Sequence, residues 1–210
     1  MTRLIEVIRQ LIRGWVRLFA KSFNTLTKGR VHPDTITLAG LVLHVPIVVL
    51  IAADYWLWAA LCLVVFGLLD TLDGELARLQ KRVTNNGGFL DAATDRIKEV
   101  LLYGGVSYWF VMSDRPEFAV VALAACGASL CVSYIKAKGE AVIAATGRKL
   151  PYPVLNKLFA DGLVPFEIRM TLLLAGLLSG YLVWAVGAIA ILASYTVLQR
   201  MLSISRALKA

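Results

Sequence analysis

Hydrophobic residues along this chain gather into long runs instead of alternating with polar ones. Runs near the bilayer-crossing length of about 20 residues recur at roughly 36–53, 57–78, 89–112, 118–137, 163–181 and 184–203. Residues 3–27 follow a different period. At about 100° per residue, Leu4, Ile5, Ile8, Leu11, Ile12, Trp15, Phe19 and Phe23 share one face, opposite Arg9, Arg13, Arg17 and Lys21 with Glu6 and Gln10. A basic amphipathic helix with aromatic anchors lies in the headgroup plane of an anionic leaflet; packing against a partner helix is the alternative. The predicted fold class is all-α integral membrane, with six transmembrane helices preceded by an amphipathic interfacial helix. Residues 1–30 form the juxtamembrane helix and 31–210 a single membrane domain.

The connections follow from their turn chemistry. Pro33 suits a first helical turn, and Asp34 or Thr35 is expected to cap the first span. The stretch Gln80–Gly88 reads as a polar loop, with Asn85-Asn86-Gly87-Gly88 as its turn signal. Residues 138–160, with Pro151 and Pro153, read as a second loop. The chain contains no internal repeat.

Composition agrees with the pattern. The 210 residues are 59% hydrophobic, and the mean hydropathy of +0.72 is too apolar for a soluble domain. Charge then orients the spans. The 22 Lys and Arg residues fall mainly before the first span, between the second and third, between the fourth and fifth, and at the C-terminus. The turns near Asp54, Asp114 and Ser179 hold only Arg115 among basic residues. The positive-inside bias therefore puts both termini and the long loops in the cytoplasm, on a multi-pass protein of the cell membrane. Topology accounts for the net charge of +8 without nucleic acid. Five basic residues spread over 1–27, with no single apolar run, do not resemble a cleaved signal peptide. Cys62, Cys126 and Cys131 sit in apolar spans without metal-type spacing, and His32 and His44 are isolated, so a zinc site has little to build on.

The chemistry lies in four aspartates. A carboxylate inside a membrane helix costs roughly 2.5–3.5 kcal/mol on insertion scales, yet Asp70, Asp73, Asp91 and Asp95 fall within 26 residues of two consecutive spans. Salt bridging alone requires basic partners at the same depth, for which Arg78, Arg96 and Lys98 are the nearby candidates. Asp70 and Asp73 are spaced i, i+3 and Asp91 and Asp95 i, i+4, so each pair shares a helix face. Antiparallel spans then bring the two pairs together on the order of 5–8 Å from the cytoplasmic surface. An all-oxygen site of this charge suits Mg²⁺, Mn²⁺ or Ca²⁺, and four carboxylates can bridge two ions for phosphoryl chemistry. Gly74 inside a helix permits close approach by a backbone or ligand. Arg78 is a bidentate phosphate donor, or a snorkelling interfacial arginine.

The pattern Asp70-x2-Asp73-Gly74-x2-Ala77-Arg78-x8-Gly87-x3-Asp91-x3-Asp95 resembles, at all eight positions, the motif of the CDP-alcohol phosphotransferases. The resemblance implies transfer of a phosphatidyl or related group from a CDP-linked lipid to an alcohol, releasing CMP. It implies that Asp70 and Asp91 bridge two Mg²⁺ ions (or Mn²⁺), that Asp73 completes the first and Asp95 the second, and that Asp95 is the general base. Gly74, Arg78 and Thr84 would contact the CDP moiety, and Pro33, Asp34, Thr35 and Ile36 would close over the nucleotide. A homodimer is implied as well.

The acceptor is read from the second half. Ser133-Tyr134-Ile135-Lys136-Ala137-Lys138-Gly139-Glu140 is similar to the matching stretch of phosphatidylinositol-phosphate synthases, where a lysine at the position of Lys136 helps bind the phosphate of inositol phosphate. Arg169, in an otherwise apolar run, is a second phosphate candidate. Lys136, Lys138 and Arg169 together indicate a phosphorylated polyol, inositol phosphate first and glycerol 3-phosphate next. The chain departs from those synthases in having a single arginine there, and Arg169 also has Glu167 and Asp161 as pairing candidates. A transporter of divalent cations or protons is the rival class, but it expects acids near the midplane and often a repeated half. A membrane scaffold leaves the carboxylates unexplained.

Overall fold

The computed structural model describes residues 2–146 and 164–209; the side chains of residues 1–13, Asp70 and Lys209 also lie outside the described set. The described residues are all-helical: α1 (Thr2–Leu26), α2 (Pro33–Ala52), α3 (Trp56–Leu79), α4 (Asn85–Met112), α5 (Pro116–Ala145), α6 (Phe166–Ser179) and α7 (Leu182–Lys209). Within these, Pro33–Ala52, Trp56–Leu79, Pro116–Ala145 and Leu182–Leu208 are long and apolar enough to cross a membrane. The chain is thus a multi-pass helical protein. The predicted third span coincides with α4, where Asp91, Asp95, Arg96, Lys98 and Glu99 lower the apolarity. The predicted fifth span coincides with α6, which has 14 residues.

Helix ends follow backbone chemistry. Asp54 at φ 67° and Asp114 at φ 57° reverse the chain after α2 and α4 in the left-handed region, which aspartate tolerates better than most residues. After α3, Arg82 N–H returns to the Ala77 carbonyl at 2.8 Å while Lys81 holds φ 54°. Three boundaries differ from the sequence expectation. Pro33 does open α2, but the cap is His32, whose Nδ1 accepts from the Asp34 N–H at 3.3 Å. The Asn85–Gly88 run is the first turn of α4 and not a loop, because Thr84 Oγ1 accepts the Gly87 N–H at 3.0 Å and caps the helix. α5 runs on to Ala145 through part of the expected 138–160 loop, since Ile143 packs against Ile204 of α7. The rest of that loop lies outside the described residues.

The chain divides into two compact units, 1–50 with 58–102 and 51–57 with 103–210. In the first, Val16 and Ala20 of α1 bury against Ile36 of α2 and Leu72 and Leu76 of α3. Trp15 and Phe19 of the same helix remain exposed. So α1 docks on its own chain along one stripe and leaves aromatic residues outside it; Leu4, Ile5, Ile8, Leu11 and Ile12 fall among the undescribed side chains. In the second unit α5 packs along α7, and α6 packs on α7. A Cβ at Gly176 of α6 would come within 2.5 Å of Ala185 Cβ, so only glycine permits that approach.

Candidate active site

The ends of three helices bring together part of the predicted set in the first unit. Pro33 and Asp34 from α2, Asp73, Gly74 and Arg78 from α3, and Thr84 and Asp91 at the start of α4 line one cavity of about 180 Å³. One carboxylate from each helix of the α3–α4 hairpin, Asp73 and Asp91, therefore faces a common space. Thr37 and Arg82 line it too and carry no distinguishing pattern in the sequence.

Asp73 is held in place. It is buried, and its Oδ2 accepts the Thr37 hydroxyl at 2.5 Å. That hydroxyl also lies 3.4 Å from the Pro33 carbonyl, one turn back along α2. Asp34 faces Asn86 Nδ2 at 3.4 Å, tying the start of α2 to the start of α4. A Cβ at Gly87 would press on Thr84 Oγ1 at 3.3 Å and Asp34 Oδ1 at 3.4 Å, so this glycine lets the two helix starts meet. At Gly74 the space is different. A Cβ there would meet nothing nearer than the Arg78 guanidinium at 3.9 Å, which leaves room opening on the cavity rather than on a neighbouring helix.

Asp95 sits one turn deeper in α4, in contact with two bases. Its carboxylate lies 3.7 Å from Arg96 and 3.7 Å from Lys98, and Lys98 is almost wholly buried. Arg96 also reaches Glu99 at 2.6 Å. Thus Arg96 and Lys98 do pair with a carboxylate of the motif, as the salt-bridge alternative required, whereas Arg78 turns to Glu75. Thr35 is exposed, and Ile36 is buried in the core with Val16 and Leu72, so neither lines the cavity. The Asp70 side chain lies outside the described residues. Among the side chains that are described, no three acidic, histidine or cysteine groups converge as a ready-made metal cluster.

The second unit holds the acceptor candidates. Lys136 is exposed and pairs with Glu140 at 4.0 Å. Lys138 is exposed and lines an apolar groove with Tyr134 and Met201. Arg169 is buried; it donates to the Val164 carbonyl at 3.0 Å and lies over the Phe166 ring at 5.9 Å. Sequence reasoning missed its neighbour. Arg200 of α7 is also buried, donates to the Val132 carbonyl of α5 at 3.1 Å, and lies within electrostatic reach of both Arg169 and Glu140. The available signal was a lone charge in the apolar run of α7. In the sequence it counts among the basic residues near the C-terminus.

A family model, CDP-alcohol phosphatidyltransferase, matches residues 30–198. The chain belongs to that family. Membership in that family speaks against the cation-transport reading. Among curated relatives, the phosphatidylinositol phosphate synthase of Corynebacterium glutamicum is 40% identical over 120 residues, covering 55% of this chain and 54% of the relative. The chain spans about half the length of the first relatives it matches. The archaetidylinositol phosphate synthase of Methanothermobacter thermautotrophicus is 30% identical over 182 residues, 84% of each chain. The crystal structure of Mycobacterium tuberculosis phosphatidylinositol phosphate synthase with CDP-DAG bound aligns with a TM-score of 0.74 at 26% identity, over 90% of this chain and 92% of that one. The same enzyme with manganese and citrate aligns at 0.75 and 25%, over 90% and 88%.

Proposed function

We propose that this CDP-alcohol phosphatidyltransferase moves a phosphatidyl group from CDP-diacylglycerol to a hydroxyl of inositol phosphate and releases CMP. The observation that carries the reading is the shared cavity, where Asp73 and Asp91 from facing helices stand beside Gly74 and Arg78. The donor set fits a hard divalent cation. It is all oxygen, and the Thr37 hydroxyl already orients Asp73. Asp70, Asp73, Asp91 and Asp95 would hold two Mg²⁺ or Mn²⁺ ions, which supply charge neutralisation for the pyrophosphate and the departing phosphate. The manganese in a structural relative supports the metal class.

This chain's own groups do the rest. Arg78, with Gly74 beneath it, receives the nucleotide phosphates, and Pro33, Asp34 and Thr84 close the cavity wall. Thr35 and Ile36 keep this segment in register. Asp95 accepts the proton of the acceptor hydroxyl as its oxygen bonds to the lipid-side phosphorus. The bond from that phosphorus to the oxygen of CMP then breaks, and CMP leaves with the electron pair.

The acceptor reading rests on Arg169 and Arg200. Two buried guanidiniums near one another repel, and a shared dianionic phosphate offsets that repulsion. Lys136 and Lys138 add charge at the edge of this site. The inositol phosphate synthases among the relatives support the polyol. In the membrane, α4 and α6 complete six crossings, exposed Trp15 and Phe19 seat α1 in the headgroup layer of the cell membrane, and the basic loops put the cavity on the cytoplasmic side. The enzyme acts as a homodimer.

The test is CMP release from CDP-diacylglycerol by purified protein with Mg²⁺, run against inositol phosphate, glycerol 3-phosphate, inositol and serine. The expected result is release driven by inositol phosphate. Release driven best by glycerol 3-phosphate would overturn the acceptor, and no release with any of the four would overturn the reaction.

A further inference from the structure

Glu75 is a buried carboxylate that neither the motif nor the proposed chemistry uses. It follows Asp73 by two residues, roughly 200° around α3, and does not line the cavity. Its side chain is only 5% exposed, yet both oxygens are engaged. Oε1 accepts from Arg78 Nη1 at 2.7 Å, and Oε2 accepts from Arg17 Nε of α1 at 3.3 Å. Burying a carboxylate this fully is costly unless its charge is met, and here two guanidiniums meet it.

The geometry has a directional consequence. Arg78 is one turn after Glu75, and an arginine at the end of a membrane helix normally extends along its axis toward water. Glu75 instead draws the guanidinium back over Gly74, where it lies 3.9 Å from the space a Cβ would fill. The Arg78 side chain remains 62% exposed and lines the cavity. Arg17 holds the other oxygen from a helix that is itself packed on α3 through Val16 and Ala20.

We infer that Glu75 is the positioning residue that holds Arg78 across Gly74 for the pyrophosphate of the CDP-lipid, with Arg17 of α1 locking the carboxylate from the far side. This rests on the reading that the cavity takes the nucleotide. It adds a residue that acts only through Arg78 and makes α1 part of the support for substrate binding. A plain structural clamp between α1 and α3 would use the same ion pairs, but its loss would not need Arg78 to be felt.

A double-mutant cycle on the full-length enzyme in detergent separates the two. KM and kcat for CDP-diacylglycerol, and CDP binding by calorimetry, are measured for wild type, Glu75→Gln, Arg78→Ala and the double variant. A charge-assisted pair of this exposure predicts that Glu75→Gln raises KM about 5- to 20-fold with kcat within about twofold. In the Arg78→Ala background the same change adds less than about twofold, the signature of groups acting as one unit. Glu75→Asp, which keeps the charge on a shorter arm, is the second variant and is expected to fall between wild type and Glu75→Gln in KM. An unchanged KM in Glu75→Gln, a full-sized effect in the Arg78→Ala background, or a larger KM shift for Glu75→Asp than for Glu75→Gln would overturn the inference while leaving the nucleotide reading intact. Failure of the wild type to bind CDP or CDP-diacylglycerol would overturn both.

Discussion

The Thr37 hydroxyl of α2 donates to Oδ2 of Asp73 on α3, a 2.5 Å bond between buried groups 36 residues apart. It holds one oxygen of a carboxylate that lines the cavity. Because the same hydroxyl lies 3.4 Å from the Pro33 carbonyl, the start of α2 and the carboxylate are positioned together. Orientation of a metal-type ligand by a group behind it typically changes metal affinity about 10- to 100-fold. Thr37→Val, nearly the same size, is expected to raise the half-saturating Mg²⁺ concentration by about tenfold or more, with activity largely recovered at saturating metal. An unchanged Mg²⁺ titration would show that the bond does no work for the metal.

Asp95 tests the base assignment. Asp95→Asn retains the shape and loses proton affinity, so transfer is expected to fall by at least about a hundredfold. CDP-diacylglycerol binding is expected to persist, since Gly74, Arg78 and Thr84 line the cavity and Asp95 does not. Near-normal turnover by this variant would remove Asp95 as the base.

Arg169 and Arg200 are expected to act on the acceptor and not on the lipid donor. Arg200→Gln should raise the KM for inositol phosphate about tenfold or more, in line with loss of a charge-assisted phosphate contact, and leave the KM for CDP-diacylglycerol within about twofold. The same split is expected for Arg169→Gln. If both variants kept the wild-type acceptor KM, the buried pair would have no part in acceptor binding.

Removal of divalent metal should be visible in stability as well as in activity. Carboxylates gathered in one cavity repel when the cation is absent, so the melting temperature in detergent is expected to fall in chelator and recover with Mg²⁺ or Mn²⁺. Metal at about 100 times its dissociation constant contributes roughly 2.7 kcal/mol to the bound state. A melting temperature indifferent to chelator would argue against ion binding at these aspartates.

The cap of α4 is a local feature with a local test. Thr84→Val removes the side-chain acceptor for the Gly87 N–H. It is expected to destabilise the start of α4 by roughly 0.5–2 kcal/mol. Amide exchange at residues 85–88 should rise before any change in the rest of the helix. Equal protection in the variant would mean that another group caps this turn.

By itself the sequence determined the helical class and where along the chain the four candidate membrane spans lie, although α5 runs past its expected end. These are properties of local period: a helix turns by a fixed angle per residue. The motif over Asp70–Asp95 then carried the family, because it is a set of identities and needs no packing to be read. What the tertiary structure decided was which charges are buried and by whom they are met. His32 and not Asp34 caps α2, Ile36 belongs to the core rather than the cavity wall, and Thr37 reaches Asp73 from another helix. In the sequence Arg200 is one more basic residue near the C-terminus; the fold buries it, bonds it to α5 and brings it within electrostatic reach of Arg169 of α6. Burial and pairing depend on what a distant stretch of chain presents to a side chain, and no period along a single helix records that.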